Sequence, residues 1–198
     1  MIKAPGWRWQ DDAIGGQFMD EKNLQRRVHG FHDIRFDGLS DLLMRARGAS
    51  VLDIGCNRGH LAWDFFVNGA RLVHGCDIHA PSIQAARVWF SEIPGMVSRF
   101  EVVDLTKPDA MVATFGAEQY DIVLFIGVYH KLIRVMGAGP LSTLTRELGK
   151  RAIKYFAFMG YGEHLFQVDI DLKAAGLRRI HTSELAFPGR PAAIWQRL

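Results

Sequence analysis

The sequence is poor in cysteine, holding only Cys56 and Cys76 among 198 residues. Neither belongs to a C-x-x-C pair. Two thiols are too few for a zinc site or a disulfide framework, so both are expected to be reduced and buried. Long apolar runs are missing as well: none nears the roughly 20 residues of a membrane-spanning helix. The opening MIKAPGWRWQDD lacks the apolar core of a signal peptide. The expectation is a cytoplasmic protein with no membrane contact. Charge of one sign is scarce too. The formal net charge is +3 and the isoelectric point about 9.0. Basic residues cluster only in pairs such as Arg26-Arg27, Lys150-Arg151 and Arg178-Arg179. Such mild basicity permits an anionic acceptor, RNA included, but does not demand one. Repeats and low-complexity segments are absent.

What is present fits one domain with a full core: 48% of residues are hydrophobic and 23% charged. Residues 20–30 and 37–47 read as helices. Asp37 is the expected N-cap of the second, Leu39, Leu42, Leu43 and Ala46 share one face, and Gly48 stops it. Residues 1–48 are therefore expected to be a short N-terminal helical appendage, with Trp7, Trp9, Phe18 and Phe31 available to form a lid on the substrate side. From residue 49 to 198 strands and helices alternate. Strands are expected at 51–54, 71–76, 99–103, 121–126, 153–158, 178–183 and 192–197, and helices at 59–68, 80–91, 108–115, 139–150 and 163–175. This order predicts an α/β fold with a seven-stranded, mostly parallel sheet covered by helices on both faces. The link between the last two strands is too short for a helical crossover, so those two should pair antiparallel.

In such a sheet, ligands sit outside the C-terminal strand ends. The first strand runs into Val51-Leu52-Asp53-Ile54-Gly55-Cys56-Asn57-Arg58-Gly59-His60. Strand, glycine turn and helix in that order make a backbone niche for a nucleotide-like ligand. Asn57 tolerates a positive φ better than other side chains, so it can stand where glycine is frequent. The second strand ends in Asp77, whose carboxylate can accept hydrogen bonds from the two hydroxyls of a ribose or cap the following helix. Asp104 and Leu105 end the third: an acceptor for an adenine amino group beside an apolar surface for its ring, or again a helix cap. The fourth leads into Gly127-Val128-Tyr129-His130-Lys131, where three polar groups gather. A P-loop is excluded because no Gly-Lys-Ser/Thr follows the first strand, and Asn57 spoils the G-x-G-x-x-G of a NAD-binding enzyme.

Together these residues resemble the class I S-adenosylmethionine-dependent methyltransferases over about 150 residues, from Val51 to the C-terminus. The resemblance implies a Rossmann-like fold, S-adenosylmethionine as cofactor and S-adenosylhomocysteine as product. It implies cofactor contacts at Asp53, Gly55, Cys56, Asn57, Gly59, His60, Asp77, Ile78, Asp104, Leu105 and Gly127. The middle glycine of the family's loop is Asn57 here. A narrower likeness links Phe125-Ile126-Gly127-Val128-Tyr129-His130 to the tRNA wobble-uridine carboxymethyltransferase and its relatives, which use a carboxylated cofactor.

A sulfonium methyl is already electrophilic, so a methyltransferase works mainly by positioning. A base is needed only where the acceptor loses its proton. His130 is the candidate catalytic base and Tyr129 a candidate to orient substrate. No Asn-Pro-Pro-Tyr or Asp-Pro-Pro-Tyr follows the fourth strand, which disfavours adenine or glutamine amino methylation. No cysteine stands there for cytosine C5 chemistry. His79, His164 and His181 are too scattered for a metal site. The leading expectation is transfer of a methyl group to oxygen or nitrogen of a small molecule. An RNA- or tRNA-modifying enzyme and a non-catalytic cofactor-binding subunit are the alternatives, with a partner subunit or homodimer compatible with any of them.

Overall fold

The computed structural model describes residues 38–91, 95, 97–187 and 189–198. The expected helix at 20–30, the expected cap Asp37 and the aromatic residues of the expected lid lie outside them. Seven strands are present: β1 (Ser50–Ile54), β2 (Leu72–Asp77), β3 (Val97–Val102), β4 (Tyr120–Ile126), β5 (Ala152–Met159), β6 (Leu177–Phe187) and β7 (Arg190–Arg197). They form one sheet in the order β3-β2-β1-β4-β5-β7-β6. The first five are parallel, and β7 lies antiparallel between β5 and β6. Strand order reverses between β1 and β4, which places a crevice at their C-terminal ends.

The period-two alternation of strands decides which core each residue joins. Ile122, Leu124, Ala157, Met159, Ala192 and Ile194 face one cluster. Val123, Phe125, Phe156, Phe158, Ala193 and Trp195 face the other. Both faces are buried, so β1 has no exposed position; the apolar Val51, Leu52 and Ile54 are accompanied by two buried polar residues, Ser50 and Asp53. The first face is covered by helices α1 (Ser40–Met44), α2 (His60–Val67) and α3 (Ala80–Ser91). The second is covered by α4 (Ala110–Phe115), α5 (Tyr129–Met136), α6 (Ala138–Arg151) and α7 (Gly162–Ala174).

Two expectations change. Helix α1 is one short turn-and-a-half with Leu39 at its N-cap, and Leu39, Leu42 and Ala46 are part of the first core cluster. The described residues just before β1 therefore contribute to the core. Helix α5 lies outside every expected helix. Yet Tyr129, Leu132, Ile133 and Met136 stand at i, i+3, i+4 and i+7, and all four pack on the second cluster. His130 and Lys131 are consequently first-turn residues of a helix.

Buried polar groups tie the far edge together. Arg197 on β7 donates to the carbonyls of Ala152 (2.9 Å), Gly149 (2.6 Å) and Ala175. The last two lie at the C-terminal ends of α6 and α7, where helix dipoles favour a cation. At the opposite end of the crevice strands, Asp121 accepts from the Ser50 N–H (2.8 Å) and hydroxyl (3.0 Å) and pairs with Lys154 (2.8 Å).

Candidate active site

A cavity of about 480 Å³ opens at the C-terminal ends of β1 to β4, within the size range of small-ligand sites. The glycine turn forms its floor. Gly55 and Cys56 both donate backbone N–H bonds to the Cys76 carbonyl (2.8 and 2.9 Å), which pins the turn to β2. Gly55 has φ +74°, and a side chain there would run into Val128 Cγ2 at 2.1 Å. Glycine is required because the ends of β1 and α5 meet at this point. Asn57 takes φ +51°, as its sequence position anticipates. Its side-chain oxygen accepts from the Ser82 hydroxyl on α3 (3.0 Å), and Ser82 also meets His79 Nδ1 (2.8 Å).

Asp77 stands at the rim with both carboxylate oxygens anchored. Oδ2 accepts the Asn57 N–H (3.0 Å) and Oδ1 the His79 N–H (2.9 Å). A carboxylate has about four lone-pair sites, so two such bonds fix its plane and leave acceptor capacity for hydroxyl donors. Ile78 beside it is 62% exposed, an apolar surface next to the acid. Asp104 takes the Thr106 hydroxyl (2.6 Å) and N–H (3.0 Å) on Oδ1. Those bonds hold its carboxyl below the usual range. The cap alternative is not realised for Asp104, because the residue preceding α4 is Asp109. Leu105 is buried against the cavity. At Gly127, φ is +71° and none of the described residues lies within 4 Å of where a Cβ would be, so they leave open space there. This set fits an adenosine-bearing cofactor: paired acids at the ends of β2 and β3, apolar neighbours, and a backbone open at Gly127.

Ten of the thirteen residues singled out in the sequence line this cavity: Gly55, Cys56, Asn57, His60, Asp77, Ile78, Asp104, Leu105, Gly127 and His130. The other three are placed elsewhere. Asp53 is 1% exposed inside β1. Gly59 is the left-handed residue before α2, and a Cβ on it would press on Phe90 at 2.9 Å; its smallness serves the packing of α3 on β3. Tyr129 is also buried, its ring against Phe125, Phe158 and His164 at 5.0–6.0 Å between centroids. Burial, then the nearby Asp171 charge, raises its phenol pKa. Tyr129 supports the wall from behind and does not reach the cavity.

Both cysteines are buried and free. Burial pushes the Cys56 thiol well up and that of Cys76 to about 12, so neither is a nucleophile at neutral pH. His60 is buried and tilted against Trp89 at 5.4 Å, which fixes its ring at the cavity edge. His130 is half-buried and meets Tyr161 edge-on at 5.3 Å. Desolvation first, then the charges of Arg190, Lys131 and Arg134, lower its pKa to about 4. Its imidazole is neutral at pH 7 and able to accept a hydrogen bond or a proton.

Sequence reading missed Tyr161 and Arg190. Arg190 starts β7 and lines the cavity. Its guanidinium lies 4.7 Å from the Tyr161 ring centre and donates to the Tyr161 hydroxyl (2.9 Å). The Gly162 N–H reaches back to the Gly189 carbonyl (3.1 Å) and holds the β6–β7 turn against the start of α7. Phe187-Pro188-Gly189-Arg190-Pro191 had been legible only as a turn.

Strand order, the antiparallel β7 and the placement of the cavity define the fold of the class I S-adenosylmethionine-dependent methyltransferases. Among solved structures, the chain resembles magnesium protoporphyrin IX methyltransferase from Synechocystis PCC 6803 with bound SAM, with a TM-score of 0.64 and 19% identity over 89% of this chain and 81% of that one. It also resembles a TehB-like SAM-dependent methyltransferase from Corynebacterium glutamicum, with a TM-score of 0.62 and 17% identity over 90% of this chain and 95% of that one. In sequence, 111 residues are 30% identical to the ubiquinone biosynthesis O-methyltransferase of Bordetella avium, 56% of this chain and 44% of that protein. A stretch of 114 residues is 25% identical to the O-antigen chain terminator bifunctional methyltransferase/kinase WbdD of Escherichia coli, 58% of this chain and 15% of that protein. The matched stretch thus spans less than half of either curated relative. No family model matches the chain.

Proposed function

We propose that this chain is an S-adenosylmethionine-dependent methyltransferase that alkylates an oxygen or nitrogen of a small-molecule acceptor. The observation that carries the reading is the pair of acids at successive strand ends, Asp77 and Asp104, facing one cavity with the open backbone at Gly127. Asp77, its plane set by the Asn57 and His79 amides, would accept from the ribose hydroxyls. Asp104 would accept from the adenine amino group, with Ile78 and Leu105 in the same cavity wall available to flank the ring. The cofactor supplies an electrophilic methyl on a sulfonium. Everything else is positioning by the chain. His130, Met159, Gly160 and Arg190 wall the far part of the cavity, where the acceptor is held in line. Neutral His130 would accept a hydrogen bond from the acceptor's O–H or N–H and take up its proton. With a pKa near 4 it is a weak base, suited to an acceptor whose proton departs late. The O-methyltransferase among the sequence relatives supports oxygen as the acceptor atom.

Calorimetry with S-adenosylmethionine and S-adenosylhomocysteine tests the reading. Both are expected to bind, and Asp77→Ala should weaken each by tenfold or more, about 1.4 kcal/mol. His130→Ala, at the acceptor end, should bind S-adenosylhomocysteine like the unmodified protein. Binding of neither compound would overturn the assignment.

A further inference from the structure

His130 projects from the first turn of α5, an eight-residue helix whose N-cap, Val128, makes no side-chain cap bond. Among the described residues, no hydrogen bond reaches either nitrogen of its imidazole. An imidazole that handles a proton is ordinarily aimed by a hydrogen bond on its second nitrogen. Here the group that meets the ring is Tyr161, edge-on at 5.3 Å. Tyr161 is not itself in the cavity wall, but Gly160 before it is, and so are His130 and Arg190, which it contacts. From the geometry we infer that Tyr161 is a positioning residue: its ring sets where the His130 imidazole stands in the cavity wall and keeps water from the side facing away from the cavity.

Three features support this. First, the Tyr161 ring is itself held. The Arg190 guanidinium lies 4.7 Å from its centre and donates to its hydroxyl at 2.9 Å. His164, in the first turn of α7, meets it edge-on at 6.2 Å. A ring fixed on its face and at its hydroxyl is a firm surface to pack against. Second, the planes of Tyr161 and His130 are 80° apart, the edge-to-face arrangement that aromatic pairs favour. That contact restricts the imidazole torsions where no hydrogen bond does. Third, the electrostatics agree. The groups facing His130 are Lys131 and Arg134 on its own helix, Arg190 on β7, and His164 and Tyr161 at the start of α7. Desolvation first, then the cations and His164, lower its pKa. Tyr161 bears on both causes: its ring covers the imidazole, and its face and hydroxyl hold the Arg190 guanidinium close by. Loss of the ring hydrates His130 and loosens the hold on that cation, and both changes move the pKa upward. A ring that only braced the β6–β7 turn would add stability and leave the His130 titration where it is.

The task given to that imidazole, taking a proton from an acceptor, rests on the methyltransferase reading; its dependence on Tyr161 does not, and one experiment separates the two. The full chain, labelled with nitrogen-15 at histidine, is titrated by NMR with and without S-adenosylhomocysteine. The unmodified protein is expected to show a His130 midpoint near 4 and a nuclear Overhauser contact between the His130 and Tyr161 rings. Tyr161→Leu should raise the midpoint by about one pH unit or more, a gain of roughly tenfold in proton affinity. Tyr161→Phe keeps the ring and should move the midpoint by less than about half a unit. Both variants leave Asp77 and Asp104 in place and should bind S-adenosylhomocysteine as the unmodified protein does. An unmoved midpoint in folded Tyr161→Leu would overturn the inference, and so would an equal rise in Tyr161→Phe, which would trace the effect to the hydroxyl instead of the ring. Absence of the Overhauser contact would overturn it too, and that measurement needs no variant to fold. Failure of S-adenosylhomocysteine to bind the unmodified protein would instead overturn the cofactor reading, while the ligand-free titrations still decide the role of Tyr161.

Discussion

Asn57 is the residue at which this chain departs from the loop it resembles, and its surroundings explain the choice. A left-handed backbone at φ +51° favours glycine, but glycine would lose the bond to Ser82 that joins the turn to α3. Asparagine tolerates the conformation and supplies the acceptor. Alanine does neither well. Asn57→Ala is expected to cost about 1–2 kcal/mol, one hydrogen bond plus part of the left-handed penalty. Asn57→Gly should stay within about 0.5 kcal/mol, since relief of the backbone offsets the lost bond and the added chain entropy. Urea unfolding measures both, and an alanine variant as stable as the unmodified protein would remove this account. The positive φ was readable from the residue type. The partner on α3 was not, because 25 residues separate the two.

Among elements, the packing of α6 on α7 shows how contact reverses an intrinsic preference. Gly149 lies in the last turn of α6, where alanine would gain about 1 kcal/mol of helix propensity. Its Cβ, however, would sit 2.9 Å from both Ala175 Cβ and Leu172 Cδ2, and Arg197 binds the Gly149 carbonyl at 2.6 Å. Overpacking of this kind costs about 1–3 kcal/mol, so Gly149→Ala is expected to lower the melting temperature by several degrees. A higher melting temperature would show that the helices separate freely. The same logic of faces accounts for α5. Its i, i+3, i+4, i+7 apolar pattern is in the sequence, but only Gly127 and Val128 separate it from β4, too short a break to mark a new element. That the turn is so tight depends on Gly127, whose N–H bonds the Met159 carbonyl at 2.8 Å.

For the molecule as a whole, acid should be the destabilising direction. His74 is buried beside Tyr120 and Glu118, its Nδ1 2.9 Å from the Tyr120 hydroxyl. Desolvation lowers its pKa from 6.5, outweighing the pull of Glu118. His130 is lowered to about 4. In both cases the unfolded chain binds protons that the folded chain refuses, so stability rises with pH across this window. It is fully present above about 6.5 and is lost as pH falls toward the folded values. Further down, Asp121 adds to the loss. Burial would raise its pKa, but Lys154 and Ser50 more than reverse this and hold it low, so its contribution disappears as its carboxylate protonates. Melting temperatures between pH 8 and 4 are therefore expected to be flat near 7–8 and to drop below 6.5, with a smaller drop in His130→Gln. A melting temperature that climbs on acidification would contradict the sign.

The sequence by itself determined the sheet, the antiparallel final pair, the glycine turn and the acids at the ends of β2 and β3, because each is written in local signals: alternation of apolar residues, turn chemistry and the position of one side chain at a strand end. Only the tertiary structure decided which polar groups share the cavity. Tyr129, adjacent in sequence to His130, turns into the core because one residue along a helix rotates a side chain by about 100°. Arg190, 60 positions away from His130, comes to the same wall because β7 inserts between β5 and β6 and the β6–β7 turn is tied to Gly162. The part of the cavity at β1 to β3 is built from consecutive strand ends and was readable in order. The opposite part, with His130 and Arg190, is closed by the last strand folding back, a long-range contact that no local pattern encodes.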